Sequence, residues 1–190
     1  MKPIKYQLML IAFPLIFIAC NNNDAPKEDN KKAAEEMNDA KFNHEGEKDA
    51  QFVTDVQDIN LTETNLGQLA ASKATMTETK DLGKMMEASH KKAYDDLASL
   101  AAKKSISVPT AMSESSKKDY DNLSQKTGID FDKDFCDMMV KGHKDAIDKF
   151  EKGSKDLTDP DLQAWASNML PALRDHLDHA MKCQEMLKAK

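Results

Sequence analysis

Four stretches of the chain place apolar side chains at steps of three and four, and each series is interrupted by a titratable residue. The first runs Phe52, Val56, Ile59, Glu63, Leu66, Ala70, and the second Leu82, Met86, His90, Ala93, Leu97, Leu100. The third runs Phe131, Phe135, Met139, His143, Ala146, Phe150, and the fourth Leu162, Ala166, Met169, Leu173, His176, Ala180, Cys183, Leu187. Such steps keep side chains on one face of an α-helix, whereas a strand alternates at every second residue. Only 6 Gly and 6 Pro occur among 190 residues, and Ala, Leu, Met, Lys and Glu are plentiful. The chain is therefore read as all-α.

The punctuation between the stretches agrees. Asp159 followed by Pro160 reads as an N-cap and first-turn proline. Gly128 and Gly153 stand where helices are expected to stop. Ser105 to Met112, with Pro109, reads as a loop, and Ser113 to Ser124 as a short connecting helix. Pro171 falls inside the fourth helix, where it should kink the axis. Short links after the first and third helices imply two antiparallel hairpins joined by a long crossover. The expected fold over residues 48–190 is a ferritin-like four-helix bundle with a short extra connecting helix.

Each long helix then carries one metal-ligand type of side chain near its middle: Glu63, His90, His143 and His176. Ionisable groups inside a seam are costly unless they are paired, hydrogen-bonded or bound to a metal. Four at one level make either a structural polar network or a site for a transition metal, with zinc, copper and iron fitting about equally as cofactor. Glu87 adds a Glu-x-x-His pair with His90, the spacing used in di-metal bundles, but Val140 stands where a second pair would need its Glu. Met86 and Met139 lie four residues before His90 and His143; thioethers there favour copper(I) as ligands, or simply fill the core. His44 and His179 read as tether and surface residues. Cys136 lies seven residues before His143 and Cys183 seven after His176, so the two face each other if the histidines do. They form either a disulfide or two buried thiols. No Gly-x-Ser-x-Gly elbow, Gly-rich phosphate loop or Cys-x-x-Cys occurs, and no catalytic residue is assigned.

The N-terminus carries an address. Lys2 and Lys5 precede an apolar run from Leu8 to Ile18, and Phe17-Ile18-Ala19-Cys20 resembles a lipobox. Residues 1–20 are read as a lipoprotein signal peptide with lipidation at Cys20. Residues 21–47, rich in Asn, Asp, Lys and Glu, are read as a flexible tether in which Asn30 to Ala40 can form a transient helix. Asn21 after the lipidated Cys, in place of Asp, resembles the pattern of proteins sent to the outer membrane. The expected location is the cell envelope, with the membrane as partner through the lipid. Net charge is −6, and Lys2 and Lys5 leave with the signal, which argues against nucleic acid as a partner.

Met85 to Asp95 also echoes Met138 to Asp148, sharing Met-Met, His-Lys, Ala and Asp at equal spacing, as a duplicated hairpin would. Several segments, moreover, resemble the bacterial family known as domain of unknown function 4142, described as predicted outer membrane proteins. They are Leu66-Gly67-Gln68-Leu69-Ala70 with Lys73-Ala74, Met86 to His90, Phe131-Asp132 with Met139-Val140-Lys141-Gly142-His143, and Leu170-Pro171-Ala172-Leu173-Arg174-Asp175-His176-Leu177. The resemblance covers about residues 48–185 and implies a secreted or membrane-anchored ferritin-like bundle with no established reaction. Asn65 stands where the family usually has Glu, and Ser89 where Asp often precedes the His. The leading expectation is a non-enzymatic, lipid-anchored binding or envelope-stress module. The competing one is a metal-binding protein for storage, buffering or redox chemistry. Imidazoles more than about 8 Å apart would rule out a single site with metal–nitrogen bonds of roughly 2.0–2.1 Å.

Overall fold

The computed structural model describes residues 29–188, which form six helices and, among the described residues, no strand. They are α1 (Asn30–Asp39), α2 (His44–Lys73), α3 (Thr77–Lys103), α4 (Glu114–Ser124), α5 (Gly128–Asp156) and α6 (Pro160–Lys188). The signal peptide and Cys20 lie outside the described residues. No described helix is long and apolar enough to cross a membrane.

Two antiparallel hairpins dominate. The α2/α3 pair is in register at Asn60 opposite His90 and Gly67 opposite Gly83. The α5/α6 pair is in register at His143 opposite His176 and at a disulfide joining Cys136 to Cys183, with Cα atoms 6.2 Å apart. The hairpins meet through α3 against α6 and α2 against α5, while α4 packs on α2 and α5 within the crossover.

Each hairpin's short link is held by a buried carboxylate from the other hairpin. Asp132, near the start of α5, accepts from the backbone N–H groups of Thr75 and Met76 and from the Thr75 hydroxyl. Asp49, near the start of α2, does the same for Thr158 N–H, the Thr158 hydroxyl and Asp159 N–H. Those donors would otherwise be unsatisfied at the N-termini of α3 and α6. The two clamps, together with Phe52 and Phe135, repeat at one constant sequence offset that relates α2 to α5. That is a different pairing from the Met-Met…His echo, which aligns α3 with α5.

Residues 30–47 differ from the tether reading. Asp29 caps α1 through Lys31 N–H, and Ala34 and Asn38 are buried. The Asn38 amide donates to the Ser107 carbonyl at 2.9 Å and accepts from Ser107 N–H at 2.7 Å, while Lys31 pairs with Asp55 at 2.6 Å. Composition made this segment look unable to fold because it holds few apolar residues; it is instead held by polar side chains against α2 and the α3–α4 loop. The two glycines expected at helix ends also sit elsewhere. Gly128 opens α5 with φ +61°, and Gly153 lies inside α5, where a Cβ would come within 2.6 Å of the Phe52 ring. Helix α6 runs unbroken through Pro171, which leaves the Ser167 carbonyl without its helical donor.

The core is divided along the bundle. One apolar cluster gathers Leu66, Met86, Phe131, Phe135, Met139 and Cys183, and a second gathers Phe52, Val56, Leu97, Phe150, Leu162 and Leu173. On every long helix the residues between the two clusters include the polar interruption of its seam: Asn60 and Glu63, His90, His143, His176. A polar layer thus separates the two apolar clusters.

Candidate metal centre

Three of these residues converge. The ring centroids of His90, His143 and His176 form a near-equilateral triangle with sides of 5.5, 5.4 and 5.3 Å. One ring nitrogen from each lies within 4.8 Å of the other two, and all three side chains are buried. Four-coordinate zinc, with bonds of about 2.0–2.1 Å, sets its nitrogens roughly 3.3 Å apart. His143 Nε2 and His176 Nδ1 already stand 3.3 Å apart.

Hydrogen bonds determine which nitrogens are bare. The Tyr94 carbonyl only accepts, so the Gln57 amide nitrogen donates to it at 3.0 Å and turns Gln57 Oε1 toward Asn60. Asn60 Nδ2 then donates to Gln57 Oε1 at 3.2 Å, which leaves Asn60 Oδ1 to accept from His90 Nδ1–H at 3.1 Å. His90 Nε2 therefore carries a lone pair, and it is buried without a partner. On α5, His143 Nδ1–H donates to the Met139 carbonyl at 2.9 Å, so its Nε2 carries a lone pair as well. Such outer partners fix the tautomer and orientation of metal-ligating imidazoles.

Burial holds all three rings neutral. It pushes His90 well below the usual imidazole range, with the charges of His143 and His176 adding to the effect. Burial and the neighbouring His176 lower His143 to about 4, partly offset by its bond to Met139. His176 is also lowered, chiefly by burial. Neutral His90 and His143, each with a lone pair on Nε2, have the form a metal requires. His176 Nδ1–H, by contrast, donates to His143 Nε2 at 3.3 Å and must shed that proton or move it to its own Nε2 when an ion binds.

Residues 30–183 match the family described as Domain of unknown function (DUF4142). The chain belongs to this family. The match starts at the first residue of α1, so residues 30–47 of the segment expected as tether fall within the family's domain. No curated protein and no solved structure matches the chain.

In this DUF4142 domain the two carboxylates named from the sequence stand apart from the triad; among the described residues, none joins the three nitrogens within the same distance. Glu87 is half-buried on α3. A residue three before His90 is rotated off the seam, and Met86, four before it, takes the inward position with no exposure. Glu63 is buried, but its carboxyl lies against Gly142 of α5, and Oε2 has no partner. Burial pushes its pKa up to about 8. Met139 is fully buried in an apolar cluster along with Met86, and His179 lies at the surface bonded to the Asp175 carbonyl. Asn60, which aims His90, is absent from the sequence reading because an amide is no strong metal ligand. Its signal was its spacing, three residues before Glu63 on the same helical face.

Proposed function

We propose that this protein is a lipid-anchored component of the cell envelope whose helical domain binds one transition-metal cation through His90, His143 and His176. The observation that carries the reading is the bare Nε2 of His90. A purely structural polar core would leave no buried lone pair without a donor, since each such atom costs about 1–3 kcal/mol. Here a relay from Tyr94 through Gln57 and Asn60 places the His90 proton on Nδ1 and so leaves Nε2 with the lone pair. Three imidazoles suit zinc, copper or iron(II), for storage, buffering or redox chemistry. Pairing of α2/α3 with α5/α6, and the crossover through α4, support a ferritin-like four-helix bundle as the scaffold.

Metal analysis of the purified protein tests this. The wild type should hold about one ion per chain, and a His90→Ala/His143→Ala/His176→Ala variant almost none. Equal content in the two would refute the reading. The envelope address rests on Phe17-Ile18-Ala19-Cys20 followed by Asn21. Cys20→Ala should move the protein from the outer-membrane fraction to the soluble one. Retention in the membrane with an uncleaved N-terminus would refute the anchor.

A further inference from the structure

We infer that the cleft between α2, α4 and α5 is where the cation is admitted, and that Glu63 is the side chain that takes it up before the imidazoles do. This rests on the metal reading of the triad. The three rings are only 3, 1 and 5% exposed, so an ion reaches them through the protein and not from open solvent. The cleft has a volume of about 270 Å³ and is lined by Thr62 and Glu63 of α2, Ser116 of α4, and Gly142, Asp145 and Lys149 of α5.

Two features of its wall lack a structural explanation. Glu63 is 6% exposed and its Oε2 meets no donor, an unfavourable place for a carboxyl. Gly142 sits in the interior of α5, where glycine is among the poorest helix formers. The only atom within 4 Å of a Cβ at position 142 would be Glu63 Oε1, at 3.0 Å. Gly67, Gly83 and Gly153 are hemmed in by backbone or by a ring; Gly142 alone keeps space for a carboxylate oxygen. The glycine and the unpartnered acid together form a seat for a guest.

The donor atoms of the cleft select that guest. Lys149 is engaged by Asp55 at 2.6 Å and Asp145 stands 3.9 Å from Lys141, which leaves Glu63 as the carboxyl an incoming ion meets without a cationic partner. The seat also adjoins the triad along the chain. Glu63 lies one turn beyond Asn60, which aims His90, and Gly142 immediately precedes His143. A hydrated dication gives up a water, the Glu63 carboxyl releases its proton to solvent, and a carboxylate oxygen takes the vacated position. When the ion moves on to the ring nitrogens, the carboxylate recovers a proton from water.

Stopped-flow uptake of Co²⁺ by metal-free protein, followed through cobalt absorption and final cobalt content, tests the assignment. Glu63→Gln removes the ionisable carboxyl without changing shape. Gly142→Ala keeps the acid but crowds it, on a helix that alanine favours. Uptake at least about tenfold slower in either variant, with wild-type cobalt content at the end, is the expected result. Wild-type rates in both variants overturn the proposal, and reduced final content in Glu63→Gln overturns transit in favour of a resident ligand. If wild-type protein takes up no cobalt, the metal reading falls and this one with it.

Discussion

Acidification from pH 6.5 to about 4 is expected to destabilise the metal-free protein by at least about 1 kcal/mol, read as a falling urea midpoint. The cause is the triad. A histidine free in the unfolded chain takes a proton near 6.5, whereas folded His143 resists protonation down to about 4. Between those values the unfolded state binds more protons, so stability falls as pH falls, by about 1.4 kcal/mol per unit for each such group. His90 and His176 are displaced in the same direction and add to the slope. Asp55 and Asp159 are held below 3.8 and contribute only at lower pH.

Glu63 has the opposite sign. Its unfolded pKa is near 4.5 and its folded one about 8, so its contribution is present at low pH and lost as pH rises through that window. Three imidazoles outweigh one carboxyl below 6.5, and above it the carboxyl acts alone. Stability should therefore peak near pH 6.5. The triple alanine variant should lose the acid limb, and Glu63→Gln the alkaline one. Saturating metal should flatten the acid limb above the pH at which protons displace it, because bound ligands stabilise only the folded state. An urea midpoint independent of pH between 6.5 and 4.5 would mean that the rings are not buried as neutral groups.

The second large effect is expected at a glycine in the α2/α3 crossing. Gly67→Ala should cost at least about 3 kcal/mol, as a collision between two backbones cannot be relieved by rotating a side chain. A Cβ at position 67 would lie 2.6 Å from both the Gly83 carbonyl oxygen and the Glu87 nitrogen of α3. The contact is reciprocal, since a Cβ on Gly83 would lie 2.7 Å from the Ala71 nitrogen and the Gly67 oxygen. Helices α2 and α3 touch through their backbones there, and Asn60 and His90 lie about two turns farther along the same interface. The variant should therefore also lose metal affinity through a displaced α3. Gly142→Ala, whose Cβ meets only the end of Glu63, should leave thermal stability near wild type. Equal melting temperatures for Gly67→Ala and wild type would contradict the close crossing.

Much of this architecture is legible in the amino-acid order because helix periodicity is local. The apolar steps, Asp159-Pro160 and the loop around Pro109 locate four long helices and a short one without reference to any distant contact. The matched spacing of Cys136 and Cys183 about the histidines anticipates the register of α5 against α6 for the same reason, since both pairs ride on two regular helices. What the chain order could not decide depends on rotation and on partners far away in sequence. Glu63 and His143 share one layer, but the rotation of α2 against α5 turns the carboxyl onto Gly142 and away from the imidazoles. Residues 30–47 carry little hydrophobic signal because their anchorage is polar, through Asn38 to a loop some seventy residues on. And a histidine in a seam announces only a cost; the relay through Gln57 and Asn60 decides which nitrogen is left bare, and that relay exists only once α2 lies against α3.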